Sequence, residues 1–575
     1  SCSKPAPARP VRIARKLAQT PRTRPRARRD KVPAGRRFGR YAQRTTMHLA
    51  QLLQHAELTP QGPINSSAEV LGITEDSRRV RAGWVFIARP GLRADGRRFI
   101  RDAIAAGAVA VITDQSHAPA AADSVPSDVP LLRTPDPALV GAVMAEALAG
   151  SPSSRLKLIG VTGTNGKSTI TSLVSQLANL AHLRCGLIGT VEIDDGSGTV
   201  PSDFTTPPAE RLSALIGRMV DNNCHAAAIE VSSHALDQRR VAGLRFGAAV
   251  FTNLTGDHLD YHKDMASYAA AKARLFAALA PDALAIVNAD DPASARMLTD
   301  CPATVYRCTL GKTPQQLDSR AARHNPSVEV LHTDSRGMRV RLSGGWGTIE
   351  TQTTLLGLHN AMNLLQAVVV AAHALDLGPE TIAHAVPRLH PPAGRLERVN
   401  TDRDDLTVFI DFAHTDDALA SALRAARLAT PAHTALWAVF GCGGNKDRAK
   451  RPRMGLAAAT LADRAVVTSD NPRAESPDAI IDEVIAGVPA DRRPAVRRDA
   501  DRRAAILATI ADAAPGDVIV IAGKGHEREQ ILPDGAGGTR TIPFHDHEIA
   551  REALRARRGA SDPAGDPRPV NGGVA

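Results

Sequence analysis

The stretch Val161-Thr162-Gly163-Thr164-Asn165-Gly166-Lys167-Ser168 follows an apolar run and opens a helix-like pattern. That is the layout of a loop that grips phosphate between a strand and a helix. Glycine lets backbone N–H groups approach phosphate oxygens, Lys167 brings positive charge to the terminal phosphates, and the Ser168 hydroxyl can sit on a magnesium ion. The spacing predicts a bound nucleoside triphosphate. The common pattern has a glycine where Val161 stands, and here the extra glycines are Gly160 and Gly163, so the loop is a variant of it.

Working outward, the apolar runs Leu156 to Val161, Ala226 to Val231, Ala248 to Asn253 and Ala283 to Asn288 each end in a polar or glycine-containing loop. They read as buried parallel strands of a doubly wound α/β sheet, whose ligands sit beyond the carboxyl ends of the strands. Lys167, Glu230, Asn253 and Asp257 fall there. After the HPPAG linker at 390–394 a second series begins, with Val408 to Asp411, Leu436 to Phe440, Ala465 to Thr468 and Val518 to Ala522 running into DFAHTDD, GCGGNKDRAKR, SDNPRAE and GKGHERE. Upstream, Trp84 to Ala88 and Val109 to Thr113 flank a helix-like stretch from Phe99 to Gly107, implying a small α/β domain, with a surface loop around Ala118 to Pro130. The expected boundaries are a basic leader over 1–46, an N-terminal domain over 47–154, a central domain over 155–392, a C-terminal domain over 393–560 and a tail over 561–575.

A formal charge of +11 invites a nucleic-acid partner, but residues 1–46 hold 15 Lys/Arg against the single acid Asp30, leaving the rest of the chain at −3. Basicity therefore belongs to the leader, and no nucleic-acid partner is expected of the body. The Arg- and Pro-rich leader has no signal-peptide core and reads as disordered; a transit peptide or RNA-binding tail is weighed against a natural start at Met47, which opens the amphipathic run MHLAQLLQHAEL. Cys2, Cys185, Cys224, Cys301, Cys308 and Cys442 form no CxxC pair, which suits a reduced cytoplasmic protein. Ala361 to Leu375, the most apolar helical stretch, is interrupted by Asn363, Gln366 and His373 and falls short of the ~20 residues that span a bilayer. It reads as a buried helix, and no membrane insertion is expected.

Glu230, at the end of a strand in EVSSH, offers a hard oxygen ligand for the Mg²⁺ of a triphosphate. His258 reads either as a second ligand beside Asp257 and Asp260 or as loop packing. On spacing alone Lys272 is a solvated helical lysine. Arg395 reaches a phosphate from the opposite wall or pairs with Glu397 at the surface. Arg448, Lys450, Arg451 and Arg473 stand beside Asp447, Asp470 and Glu475, mixed signs that suit a zwitterionic ligand.

In this order TGTNGK, EVSSHALDQRRV, FTNLTGDHLDYH, YAAAKARLF, GLHNAMNLL, GRLE, DFAHTDDAL, GCGG with KRPRMG, SDNPRAESP and AGKGHE resemble the Mur ligases, ATP-dependent amide-forming enzymes of peptidoglycan synthesis. The resemblance runs from Met47 to about Ile549. It implies an α/β, three-domain architecture: a small N-terminal α/β domain, a central P-loop parallel-sheet ATPase domain and a C-terminal Rossmann-like domain. It also implies that Asp470-Asn471-Pro472-Arg473 is the loop of members that add meso-diaminopimelate to UDP-MurNAc-L-Ala-D-Glu. Diaminopimelate is lysine with an extra carboxylate, and Arg473 answers that charge.

Residue by residue, the resemblance assigns Gly163, Thr164, Asn165, Gly166, Lys167, Ser168, Thr169, Asn360, Arg395 and Asp411 to ATP. It assigns Ser77, Leu92 and Arg93 to the uridine part, and Thr205, Thr206, Ser232, Gln238 and Arg240 to the muramoyl dipeptide. Lys446, Asp470, Asn471, Arg473, Gly523 and Glu527 go to diaminopimelate. Ser168, Glu230, His258 and Lys272, the last as a carbamate, go to Mg²⁺, with Lys167, Lys272, Glu230, His258 and Arg395 as the catalytic set. A monomer working on small molecules is implied. Phe412 and Asp416 replace the family's Tyr and Pro, and Lys446 stands where an arginine often helps bind diaminopimelate. The alternatives are the same reaction with L-lysine, a folylpolyglutamate-type ligase, a nucleotide switch suggested by Asn445-Lys446-Asp447, and a basic-tailed RNA binder.

Overall fold

The phosphate-gripping strand Lys157–Thr162 lies inside an eleven-stranded sheet, with Ala226–Glu230 on one side and Ala248–Phe251 on the other. In this computed structural model, residues 46–60, 64–91, 94–115, 129–311 and 324–561 are described. From edge to edge the sheet runs Thr199–Pro201, Glu192–Asp194, Cys185–Ile188, Ala226–Glu230, Lys157–Thr162, Ala248–Phe251, Leu284–Asn288, Thr304–Leu310, Ser327–Asp334, Gly337–Gly344 and Gly347–Thr353. Cys185–Ile188 through Ser327–Asp334 are parallel, while both flanks are antiparallel. The chain leaves Lys157–Thr162 toward one flank and later returns to the other, so the strand ends at a topological switch point, where such sheets open a crevice.

The parallel runs read from the sequence match the strands to within two residues at each end, the largest difference being Ala248 to Asn253 against Ala248–Phe251. Beyond it lie the antiparallel strands Glu192–Asp194 and Thr199–Pro201 and the meander Ser327–Thr353. Helix Lys167–Leu180 packs Ile170, Leu173, Val174 and Leu177 against Leu364, Leu365, Val368 and Val369 of helix Leu358–His373. This second helix is buried from Asn360 to Ala371, as its apolar run predicts. Two of its polar interruptions are bonded, Gln366 Nε2 donating to Phe251 O at 2.7 Å and Asn363 Nδ2 to Asn360 Oδ1 at 3.0 Å, while Gln366 Oε1 and His373 Nε2 are buried without a hydrogen bond among the described residues.

The N-terminal sheet is parallel and sequential, Gly72–Thr74, Trp84–Ala88, Ala108–Asp114 and Leu131–Thr134. Helix Pro137–Leu148 covers it, started by Asp136, whose Oδ1 accepts from Leu139 N at 3.0 Å, and by Pro137 at its first position. The surface loop expected around Ala118 to Pro130 lies almost wholly outside the described residues, as do Leu92 and Arg93.

The C-terminal sheet has the order Glu397–Arg398, Thr407–Asp411, Val518–Ala522, Leu436–Phe440, Arg464–Thr468 and Val496–Asp499, antiparallel only at Glu397–Arg398. One face packs on Leu419, Leu423, Met454, Ile480 and Val484, the other on Ile506, Ile510, Ile549 and Leu554. A buried pair ties its last helix in: the Arg502 guanidinium holds both Asp546 oxygens at 2.8 and 2.7 Å, and neither side chain is exposed. Among the described residues no helix is long and apolar enough to cross a membrane, and the described cysteines are free thiols.

Candidate active site

The loop at the switch point owes its shape to two glycines with positive φ. Gly163, at φ +146°, would place a Cβ 1.8 Å from Thr252 Oγ1, and Gly166, at φ +87°, would place one 2.7 Å from Asn363 Oδ1. Only glycine fits either position. Thr252 Oγ1 and Asn253 Nδ2 donate to Asn165 O at 2.6 and 3.2 Å, binding the loop to the neighbouring strand end. The Lys167 ammonium folds back onto its own loop, donating to Gly163 O at 3.0 Å and Thr164 O at 2.8 Å.

Asn165, Gly166, Ser168 and Thr169 line one wall of a cavity of about 240 Å³ whose other wall holds Asn360, Arg395 and Asp411. Seven of the ten residues assigned to ATP from sequence line this cavity, and Gly163, Thr164 and Lys167 do not. Arg395 spans the gap: its Nη2 lies 3.5 Å from Ser168 Oγ, and its guanidinium rests over the Phe412 ring at 4.9 Å. The surface pairing with Glu397 is not formed. Glu397 instead accepts from Gly394 N at 2.8 Å and faces His547 Nε2 at 3.4 Å. Asp411 accepts from Leu396 N and Ala413 N, both at 2.7 Å, while burial pushes its carboxyl up against the pull of Arg395.

Lys272 is the clearest departure from spacing. It is 1 % exposed rather than solvated, donates to Gly163 O at 2.8 Å and lies 4.4 Å from the Tyr268 ring centre. Burial first, and Lys167 next, hold its amine well below the usual lysine range. Helix Met265–Ala277 presents Lys272 inward because alanines on either side let the helix sit close to the loop.

Glu230 is 1 % exposed at its strand end, where Thr190 N donates to Oε1 at 2.8 Å and Thr190 Oγ1 to Oε2 at 3.0 Å. Its carboxylate and the Ser168 hydroxyl are hard oxygen donors of the kind Mg²⁺ takes, usually one or two carboxylates completed by phosphate and water. The donor set fits an ion that arrives with a triphosphate. Among the described residues no group of three His, Cys, Asp or Glu side chains is placed to hold a metal alone. His258, at φ +54°, is exposed; its Nε2 is 3.4 Å from Asp257 Oδ2 and its ring meets His234 at 4.8 Å. No hydrogen bond joins it to Glu230 or Ser168.

The dipeptide set forms one bonded patch beside Glu230. Thr206 Oγ1 donates to Glu230 O at 2.7 Å, Ser232 N donates to Thr206 Oγ1 at 3.1 Å, and Thr190 Oγ1 lies 3.0 Å from Thr205 Oγ1. Arg240 donates to Thr206 O and to Gln238 Oε1, both at 2.8 Å. Burial holds its guanidinium below the usual range, with Glu75 of the N-terminal domain working the other way. Ser77 sits in the turn Ser77–Arg79, which the Arg79–Glu210 pair at 2.9 Å ties to the helix after Thr206.

A larger cavity, about 960 Å³, runs from Thr190 and the strands Glu192–Pro201 across to Asn471, Arg473 and Glu527. Gly444 would place a Cβ 1.9 Å from Pro472 O, so a glycine there lets the 470–473 loop pack down. Arg473, at φ +54°, gives Nη1 to Gly444 O at 2.8 Å, leaving Nε and Nη2 without a hydrogen bond among the described residues. Asp470 is buried with its carboxyl pushed up by burial, its Cγ close to where a side chain on Gly523 would stand, and Lys446 is exposed.

Two arginines read as ligand-facing are committed elsewhere: Arg451, fully buried, bridges Glu475 and Glu483, and Arg448 pairs with Glu483. Lys450 donates to His414 O at 2.7 Å. Sequence reasoning missed Lys524, which is fully buried and bonded to Asn471 and Glu527. Its position between two glycines at a strand end was the available signal.

A phosphate-gripping sheet edge met by a second parallel sheet across a shared cavity is the arrangement of an ATP-dependent ligase. The chain matches the Mur ligase family, catalytic domain, over residues 69–147, the Mur ligase middle domain over 161–371 and the Mur ligase, glutamate ligase domain, over 394–525. It belongs to the Mur ligase family. It is 40% identical over 523 residues (91% of this chain, 98% of the relative) to the UDP-N-acetylmuramoyl-L-alanyl-D-glutamate–2,6-diaminopimelate ligase of Chlorobium phaeobacteroides. It is 43% identical over 498 residues (85% and 95%) to the ligase of the same name from Parasynechococcus marenigrum. A solved structure with that name matches at a TM-score of 0.63 and 30% identity, covering 89% of this chain and 99% of the other. Folylpolyglutamate synthase of Mycobacterium tuberculosis shares the fold at a TM-score of 0.52 and 21% identity, covering 67% of this chain and 92% of the other.

Proposed function

We propose that this chain uses ATP to join meso-2,6-diaminopimelate to the D-glutamyl residue of UDP-N-acetylmuramoyl-L-alanyl-D-glutamate in peptidoglycan precursor synthesis. The observation that carries this reading is the shared cavity of about 960 Å³, with the Thr190 side of the dipeptide patch on one wall and the open edge of Arg473 on the other. A donor carboxylate and an amine with a distal carboxylate can meet across it. The relatives at 40–43% identity carry the name of that reaction. Lysine as substrate would leave the Arg473 edge without a partner.

A carboxylate is a poor electrophile, so the side-chain carboxylate of D-glutamate first attacks the γ-phosphorus of ATP, giving an acyl phosphate and ADP. Arg395 from the cavity wall, and Lys167 once released from Gly163 O and Thr164 O, would stabilise the charge in flight, and positioning plus electrostatics carry most of phosphoryl transfer. The free amine of diaminopimelate then attacks the acyl carbon, its proton goes to solvent or a nearby base, and the tetrahedral intermediate expels phosphate. Mg²⁺, held by Ser168 and Glu230 with His258 and carboxylated Lys272 nearby, would neutralise phosphate charge when bound. Lys272 suits carboxylation because a buried amine with a depressed proton affinity is free to react with CO₂. Packing of Arg395 and Asp411 over the loop excludes water that would hydrolyse the acyl phosphate.

The reading includes domains at 47–154, 155–392 and 393–560, and a monomer acting in the cytoplasm on small molecules without nucleic acid. Its test is isotopic. With ¹⁸O in the D-glutamyl side-chain carboxylate, released phosphate should carry one label per turnover; unlabelled phosphate would rule out the acyl-phosphate route.

A further inference from the structure

Resting on that reading, the geometry points to Lys524 as the positioning residue of the amino-acid site: its buried ammonium clamps Glu527 Oε2 and Asn471 Oδ1, so that Glu527 offers only Oε1 to the incoming amine. Lys524 has no exposed surface and does not line the cavity, so it cannot itself touch substrate. Its Nζ donates to Glu527 Oε2 at 2.8 Å and to Asn471 Oδ1 at 3.0 Å, and lies 3.9 Å from Asp470 Oδ1.

Asn471 is oriented by the same cation. Its Oδ1 accepts from Lys524 and from Ile531 N, each at 3.0 Å, which turns Nδ2 to Glu527 Oε2 at 2.8 Å. Glu527 Oε2 thus receives two donors, while Oε1 has no hydrogen bond among the described residues and the side chain is 35% exposed on the cavity wall. A carboxylate fastened by one oxygen and open at the other is a directed acceptor for an ammonium group. Asn471, which also lines the cavity, thus helps to fasten Glu527. A buried lysine is costly unless its charge is matched, and Glu527 and Asp470 are the acids within reach. Fastening by one cation on a glycine-flanked loop makes the acceptor rigid as well as charged.

The test is steady-state kinetics of full-length Lys524→Met, Glu527→Gln and the double variant, varying diaminopimelate, ATP and the nucleotide-linked dipeptide in turn. Lys524→Met should raise KM for diaminopimelate about tenfold or more, with kcat within about threefold and the other two KM values unchanged, because truncating one member of a buried charge pair disables its partner. The double variant should be no worse than Glu527→Gln alone. If Lys524→Met does not fold, the double variant, which removes the acid together with its cation, carries the same comparison against Glu527→Gln. A lowered Tm with unchanged KM for diaminopimelate, or a further tenfold loss in the double variant, overturns the inference. A wild-type protein indifferent to diaminopimelate overturns the function reading and this inference with it; a wild type that uses it while Lys524→Met keeps its KM overturns this inference alone.

Discussion

Replacing Arg473 by alanine should separate diaminopimelate from lysine more sharply than any other single change. The guanidinium spends Nη1 on Gly444 O and Asn471 O, and on this cavity-lining residue Nε and Nη2 have no hydrogen bond among the described residues. The Nε and Nη2 edge can make two parallel bonds to a carboxylate. Hydrogen bonds to charged groups contribute about 1.5–3 kcal/mol each; because Arg473 is half-buried, the lower figure applies and the pair is worth about 3 kcal/mol. At 1.4 kcal/mol per decade this is about a hundredfold in kcat/KM for diaminopimelate. L-lysine has no distal carboxylate and should change by less than about threefold, which also controls for any shift of the 470–473 loop. Arg473→Lys, keeping charge but not the fork, should fall between the two. The assay is ADP release with saturating ATP and nucleotide-linked dipeptide, varying each amino acid. An equal loss with both would refute the reasoning, since the arginine would then be shaping the loop rather than reading the carboxylate.

Gly163→Ala should raise KM for ATP and lower activity steeply, because the added Cβ meets Thr252 Oγ1 and the left-handed φ is strained for alanine; nucleotide binding by calorimetry checks it. Arg502→Met leaves Asp546 buried without its partner and should cost about 3–5 kcal/mol of stability in urea unfolding. His526 is held down to about 4 by burial first and Arg395 next. Unfolded, it titrates near 6.5, so the unfolded chain binds more protons between those values, and stability should fall as pH drops from about 6.5 to about 4. The slope of unfolding free energy against pH in this window should be shallower by up to one proton in His526→Asn.

Much of this architecture was legible because parallel strands buried on both faces are written as unbroken apolar runs, and each ran into the loop that carries chemistry. Lys157–Thr162, Leu436–Phe440 and Val518–Ala522 were readable in that way. The meander Ser327–Thr353 was not, since its polar outward positions break the apolar signal. Site residues on the phosphate loop carry a local pattern, so Gly166 and Ser168 could be placed from spacing. Lys272 could not, because its approach to Gly163 O, more than a hundred residues away in the sequence, comes from elsewhere in the chain. Arg448 and Arg451 misled for the same reason: Glu483, which claims both, lies more than thirty residues downstream. Lys524 escaped because a lysine in a glycine loop reads as solvated until its neighbours are known.

ADP release by the purified protein, measured with ATP alone and then with the nucleotide-linked dipeptide and meso-diaminopimelate added singly and together, tests the central claim most directly. Sustained turnover should require both, with one amide formed per ADP. Equal turnover in the absence of either would contradict a site in which a triphosphate-gripping edge and an amino-acid-reading edge act on one shared cavity.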